Sequence, residues 1–133
     1  MHFNGSGEKW FVTHVLVSTK PKTIIDVGAN IGEYSKLLID KTEAKVFAIE
    51  PNPHSFSKLS ELPERVTKVP YAISNQSGEA KLHFRSNCDE QASLDPMRST
   101  SNSVTVKVKT LVDIVNEYSI GEIDFVKIDT EGF

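Results

Sequence analysis

A glycine-bearing stretch near the N-terminus of the sequence has residue types and spacing that suit ligand binding. From Asp26 to Gly32 it reads D-V-G-A-N-I-G, with Gly28, Asn30 and Gly32 at alternate positions. Glycine lets a backbone turn tightly and approach a ligand closely. Free N–H groups at the start of a helix can bind polar or anionic groups. Because an apolar run precedes the stretch and a helical pattern follows it, we predict a cofactor-binding turn here.

A second acidic position lies at the end of the next apolar run. Glu50 follows Gly28 by 22 residues, the length of one βαβ unit, and is itself followed by Pro51 and Asn52. An acidic side chain at this distance accepts hydrogen bonds from the ribose hydroxyls of a nucleotide cofactor. A glycine-rich turn alone is common, and an acidic strand end alone is usually solvated. The two together favour a nucleotide cofactor.

The pattern also indicates which kind of nucleotide. A dinucleotide fingerprint would place glycine at positions 28, 30 and 33, where this chain has Gly28, Asn30 and Glu33. The carboxylate of Glu33 would repel a pyrophosphate. The carboxylate of Asp26 can instead accept from an ammonium group, and the N–H groups of the turn can donate to a carboxylate. An adenosine that carries an amino acid, such as S-adenosylmethionine, has both groups.

The third acidic stretch ends the sequence. Asp129 and Glu131 follow the last apolar run, and both are candidate general bases for a hydroxyl acceptor. Lys127 could orient one of them, although a structural role fits it at least as well, and the base could equally lie beyond Phe133. We predict no metal site, because no second ligand is suitably spaced. Cys88 is the only cysteine, so an internal disulfide is excluded.

Alternating apolar runs and helical patterns position these three stretches. Such alternation is typical of a parallel sheet with helices on both faces, in which ligands bind beyond the C-terminal ends of the strands. All three stretches should therefore meet at one edge of the sheet. The predicted strands are 23–27, 45–49, 66–73 and 123–128, and the predicted helices are 8–18, 31–41, 53–62 and 111–118.

One region departs from this alternation. Residues 79–85 and 103–110 alternate polar and apolar side chains, which is typical of half-exposed antiparallel strands. The polar stretch 86–102 between them is predicted to be a surface loop. Pro70 indicates an edge position or a strand end, and Gly121 is predicted to stop the last helix. The predicted fold is α/β, a Rossmann-like, doubly wound, mostly parallel sheet with an antiparallel hairpin insertion.

Composition narrows the classes of function. The 133 residues predict one domain, 1–133, with an N-terminal helix region at 1–22 and a Rossmann-like core at 23–133. The net charge of −3 and the lack of a basic cluster argue against nucleic-acid binding. No apolar run is long enough for a membrane span. The N-terminus lacks a signal-peptide pattern, so we expect a cytoplasmic protein.

Four segments together resemble the FkbM family of S-adenosylmethionine-dependent methyltransferases. They are D-V-G-A-N-I-G-E-Y-S, F-A-I-E-P-N-P, I-S-N-Q-S-G-E-A-K-L and I-D-F-V-K-I-D-T-E-G-F, in the family's order between about Thr23 and Phe133. The resemblance implies a class I methyltransferase fold and, usually, O-methylation of a small molecule or a sugar. It implies these cofactor contacts: Asp26, Gly28, Asn30 and Gly32 around the methionine part, Glu50 on the ribose, Pro51 and Asn52 beside the adenine, Ala72 flanking the adenine ring, and Asp129 at the methyl-transfer edge.

The resembled family continues past the E-G-F segment with three further strands. We therefore expect a truncated methyltransferase that ends after its fourth parallel strand, binds the cofactor and turns over weakly or not at all. Strand 123–128 would then be an exposed apolar edge that favours homo-oligomerisation. Two alternatives stay open. One is a nicotinamide-dependent oxidoreductase, which Asn30 and Glu33 disfavour, and the other is a non-catalytic binding or assembly module on a truncated methyltransferase fold.

Overall fold

The computed structural model describes residues 7–84 and 102–130. Strands and helices alternate along most of this chain, as the sequence predicts. In chain order they are α1 (Gly7–Phe11), a π-helical turn (Val12–Leu16), a 3₁₀ turn (Val17–Thr19), β1 (Thr23–Val27), α2 (Glu33–Lys41), β2 (Lys45–Ile49), α3 (Pro53–Leu59), β3 (Val66–Val69), β4 (Ala72–Ile73), β5 (Gly78–Phe84), β6 (Asn102–Lys109), α4 (Leu111–Glu117) and β7 (Phe125–Ile128).

Four strands form a parallel sheet in the order β3-β2-β1-β7. The central strand β1 is apolar on both faces, as a parallel strand covered by helices must be. Ile24 packs with the N-terminal helical segment, α2 and α3 on one face. Its neighbour Ile25 packs against α4 on the other. The doubly wound, Rossmann-like architecture predicted from the sequence is confirmed.

The second sheet contains three strands in the order β4-β6-β5. β5 and β6 form the predicted antiparallel pair, in which Ala80 lies opposite Val106. β4 pairs with β6 in parallel. The apolar sides of these strands form a small core of their own. The hairpin insertion is therefore confirmed, although most of the polar stretch between its strands lies outside the described residues.

Three local predictions need correction. The third strand is two strands in different sheets, β3 and β4, because Pro70 has no N–H to continue the ladder. The predicted helix at 8–18 is instead a short α-helix followed by a π-helical turn and a 3₁₀ turn. This N-terminal helical segment buries Val12 and Leu16, whereas Trp10 is 60% exposed and stacks on the ring of His14. After α4, the left-handed residue is Ser119, with φ of 51°, and not Gly121.

The helix starts follow the sequence signals. The side chain of Asn52 accepts a hydrogen bond of 3.0 Å from the N–H of His54, so Asn52 caps α3, with Pro53 in the first turn. Thr110 and Asp113 form a capping box at the start of α4. Within 7–84 and 102–130, no helix is long and apolar enough to cross a membrane.

Candidate functional site at the strand ends

The carboxyl ends of the three neighbouring strands β2, β1 and β7 meet at one edge of the sheet. Val27 is in register with Ile49 on one side and with Ile128 on the other. The residues that follow these three strands are therefore brought together, and backbone hydrogen bonds join the strand ends. The N–H of Gly28 donates to Ile49 at 2.9 Å, and that of Asp129 donates to Val27 at 2.9 Å. The predicted convergence of the three acidic stretches is confirmed.

Gly28 lies where the turn after β1 touches the chain after β7. Its φ is +79°, and a Cβ atom there would lie 1.9 Å from the backbone oxygen of Asp129. No side chain fits in that space. The glycine at this position is thus required by contact with the protein's own backbone, whereas the sequence analysis attributed it to the approach of a ligand.

The carboxylate of Glu50 ties two loops together at the same edge. It accepts hydrogen bonds from the backbone N–H of Asn30 at 2.8 Å and of Asn52 at 2.9 Å. The side chain is buried, and burial raises its pKa to about 7, against the opposite influence of the two N–H donors. An ionised carboxylate offers about four acceptor positions. After the hydrogen bonds from Asn30 and Asn52, two acceptor positions remain for donors on a ligand.

Most N–H groups of the turn are already used inside the protein, which corrects the sequence-based expectation that they are free. Those of Gly28 and Ala29 donate to the carbonyl of Ile49, and that of Gly32 donates to Ala29. The N–H of Asn30 donates to Glu50. Donors for a ligand carboxylate must therefore come from elsewhere than these four positions.

Two left-handed residues shape the rest of the turn. Asn30 has φ of 55° and Gly32 has φ of 95°. A Cβ on Gly32 would press on Leu59 and Leu62, so this glycine lets α2 start close to α3. The Oδ1 atom of Asn30 is buried and has no hydrogen-bond partner among the described residues. A buried acceptor of this kind is a candidate for a donor on a ligand.

Asp26 points into the protein and not towards an open pocket. Its side chain is 0% exposed. Oδ2 accepts a hydrogen bond of 2.7 Å from the hydroxyl of Ser35 on α2. Oδ1 lies 3.7 Å from the ammonium nitrogen of Lys127, an ion pair without a hydrogen bond. Burial raises the pKa of Asp26, while Lys127 and Ser35 oppose that rise.

Asp26, Ser35, Lys127 and Asp129 form a cluster together with Tyr34. Asp129 is its more exposed carboxylate. Its Oδ2 lies 3.7 Å from the same ammonium nitrogen of Lys127, and 29% of its side chain is exposed. It is therefore the acidic group of this edge that can face a bound molecule, and its place at the methyl-transfer edge stays a prediction. The other candidate base, Glu131, lies outside the described residues. No group of three or more metal-binding side chains occurs among the residues that are described.

The remaining predicted positions lie around this edge. Pro51 and Asn52 are buried between the end of β2 and the start of α3. Ala72 is buried in the core of the smaller sheet, with Leu82 and Val108. Its place beside an adenine ring stays a prediction.

Sequence reasoning missed two members of the cluster, Tyr34 and Ser35, and did not resolve the role of a third, Lys127. Lys127 is the register partner of Asp26 across β1 and β7, and its ammonium also lies 4.5 Å from the centre of the Tyr34 ring. The signal available in the sequence was a charged residue, Lys127, inside an otherwise apolar predicted strand that is followed by acidic residues. The role of Ser35, nine residues beyond Asp26, depends on how α2 packs on β1.

Comparison with known proteins agrees with this geometry. Residues 26–133 match the family model described as the methyltransferase FkbM domain. The chain is 33% identical over 114 residues to the hexuronic acid methyltransferase AglP of Haloferax volcanii, which covers 80% of this chain and 44% of that relative. The chain thus spans less than half the length of this curated relative. No solved structure matches it. From the strand-end geometry and the match over 26–133, we conclude that the chain belongs to the FkbM methyltransferase domain family.

Proposed function

We propose that this chain forms the cofactor-binding part of an S-adenosylmethionine-dependent methyltransferase that O-methylates a small molecule or a sugar hydroxyl. The observation that carries the proposal is Glu50, a buried carboxylate at the meeting point of the strand ends, held by the N–H groups of Asn30 and Asn52. An acidic side chain at this place in a βαβ unit accepts hydrogen bonds from the ribose hydroxyls of a nucleotide cofactor.

The residues at this edge fit such a cofactor. Glu50 keeps acceptor positions for two hydroxyl donors, and the buried Oδ1 of Asn30 lacks a donor among the described residues. Lys127, Asp26 and Asp129 together carry one net negative charge when both carboxyls are ionised. This charge complements a ligand that carries a sulfonium and an ammonium group. The cofactor, when bound, supplies a methyl group activated by the positive sulfur.

The same contacts disfavour a nicotinamide dinucleotide. A pyrophosphate needs the N–H groups of the turn, but those of Gly28, Ala29 and Asn30 already donate to Ile49 and Glu50. The next acidic side chain, Glu33, begins α2 and would repel a phosphate. The oxidoreductase alternative is therefore the weaker one.

A sugar is the acceptor that the comparisons favour. The relative with 33% identity is named for methylation of hexuronic acid, and the match covers 44% of its length. In our proposal Asp129 acts as the general base for the acceptor hydroxyl, because it is the partly exposed carboxylate of the cluster. Glu131 is the second candidate. Placement of the hydroxyl beside the activated methyl group would contribute further acceleration.

A calorimetric titration tests the cofactor assignment. S-adenosylhomocysteine should bind the wild-type chain, and NAD should not. Glu50→Ala should lower the affinity for S-adenosylhomocysteine by about tenfold or more. Glu43→Ala is the matched control, because Glu43 is exposed beside the opposite end of β2, and it should bind like wild type. Binding of NAD alone would favour the oxidoreductase, and binding of neither would favour the assembly module.

We also propose that the β7 edge pairs with a second copy of the chain. Within the described residues β7 hydrogen-bonds only to β1, and its last residue, Ile128, is 68% exposed. Unpaired, apolar strand edges favour association. Sedimentation should show a dimer at high concentration that Ile128→Lys abolishes, and a strictly monomeric wild type would contradict this.

The cytoplasmic location and the division of the domain at residue 22 stay predictions.

A further inference from the structure

Lys127 occupies an unusual place for a lysine. It belongs to β7, yet only 10% of its side chain is exposed. Its ammonium nitrogen lies 3.7 Å from Asp26, 3.7 Å from Asp129 and 4.5 Å from the centre of the Tyr34 ring. One cation therefore touches two carboxylates and an aromatic face at once. A surface lysine would keep its ammonium in water.

The two carboxylates differ in what they can do. Asp26 is fully buried and is also held by Ser35, so it serves as a fixed anchor. Asp129 is partly exposed and follows the strand end, where its backbone oxygen packs on Gly28. Because a buried carboxylate with an unbonded oxygen strongly attracts a cation, Asp26 fixes the position of the ammonium. The ammonium in turn limits where the side chain of Asp129 can lie.

We propose that Lys127 is a positioning residue for the methyl donor, acting through Asp129. The buried Asp26 holds the ammonium, and the ammonium holds the carboxylate of Asp129 at the edge of the cofactor site. This inference rests on the proposed function, because it concerns the same cofactor. It assigns Lys127 an indirect role, without contact between its side chain and the ligand.

A double-mutant cycle tests the inference, with calorimetric affinity for S-adenosylhomocysteine as the readout. Lys127→Met should weaken binding about tenfold in the wild-type background and by less than about twofold in the Asp129→Asn background. Lys45→Met is the matched control. Lys45 also lies over an aromatic ring, that of Phe47, but it is exposed at the far end of β2.

A purely structural role predicts a different pattern. Lys127→Met would then lower stability towards urea but leave the affinity of the folded protein unchanged, or it would weaken binding equally in both backgrounds. Either result overturns the inference. If wild type binds no S-adenosylhomocysteine, the proposed function fails and this inference fails with it. If wild type binds and Lys127→Met binds equally well, the inference alone fails.

A second measurement needs no variant that could misfold. The side-chain ammonium groups of ¹⁵N-labelled wild-type protein can be followed by NMR while S-adenosylhomocysteine is added. The signal of Lys127 should shift as the site fills, because Asp129 responds to the ligand, and the signal of Lys45 should not. An unchanged Lys127 signal at saturation would overturn the inference.

Discussion

The carboxylate of Glu50 accepts a hydrogen bond of 2.8 Å from the backbone N–H of Asn30, twenty residues earlier in the chain. The bond joins the end of β2 to the turn after β1. An acidic side chain that sequence reasoning assigns to a ligand thus also holds the protein's own turn in shape. Ligand binding and loop stability should therefore depend on the same carboxylate.

Glu50 should make stability depend on pH. Its pKa in the folded protein is about 7, raised from an ordinary 4.5 by burial. Because the pKa of Glu50 is higher in the folded than in the unfolded protein, Glu50 contributes its full stabilisation at pH values below its unfolded pKa. That contribution is lost as the pH rises through about 7. From about pH 5 to about pH 8, wild type should lose on the order of 3 kcal/mol relative to Glu50→Gln. Urea unfolding at several pH values measures this difference.

Glu43→Gln provides the control for that experiment. Glu43 is exposed just before β2, so its replacement should leave the pH profile of wild type unchanged. Parallel stability profiles for wild type and Glu50→Gln would contradict the raised pKa of Glu50.

Gly28→Ala should destabilise the fold by about 2 kcal/mol or more. The left-handed φ of +79° is unfavourable for alanine, and the added Cβ would meet the backbone oxygen of Asp129. Gly121→Ala is the control, since no atom lies within 4 Å of a Cβ there, and it should change stability by less than about 0.5 kcal/mol. Equal stabilities of the two variants in urea would show that the turn does not pack on β7 in this way.

Ser35→Ala should cost about 1.5 to 3 kcal/mol, because it removes a hydrogen bond to a buried carboxylate. The hydroxyl of Ser35 donates to Asp26 at 2.7 Å and lowers the pKa of that group. Without it the pKa of Asp26 rises further, so the loss should be larger at pH values where Asp26 is ionised in wild type and should shrink as the pH falls and the carboxyl becomes protonated.

Ser57→Ala is the matched control for Ser35→Ala. The hydroxyl of Ser57 is exposed and donates to the nearby carbonyl of His54, so its loss should change stability by less than about 0.5 kcal/mol. A pH-independent effect of Ser35→Ala would contradict its assigned contact with Asp26.

The sequence predicted the parallel sheet and the meeting of its strand ends well, because both follow from local patterns. Apolar runs mark β1 and β2, and Asn52 followed by Pro53 marks the start of α3. The order of elements then places Gly28 and Glu50 at one edge of the sheet.

What the sequence did not predict depends on side-chain direction and on long-range packing. The pattern of the N-terminal helical segment did not single out Val12, nor did it show that Trp10 faces outwards, because helical spacing alone did not separate the two faces. Asp26 points inwards because it lies two residues after Ile24 and therefore on the same face of β1. That face is covered by α2. Most N–H groups of the turn looked free because their acceptors, Ile49 and Glu50, lie at the end of another strand.

The most direct test of the central claim is an NMR titration of the ¹⁵N-labelled wild-type chain with S-adenosylhomocysteine. The account predicts that the amide signals of residues 26–32, Glu50, Asn52 and 129–130 shift as the ligand is added, and that those of Trp10 and His14, on the exposed side of the N-terminal helical segment, do not. Saturable shifts that exclude Gly28, Asn30 and Glu50, or no shifts at all, would contradict the claim that this strand-end edge is the methyl-donor site.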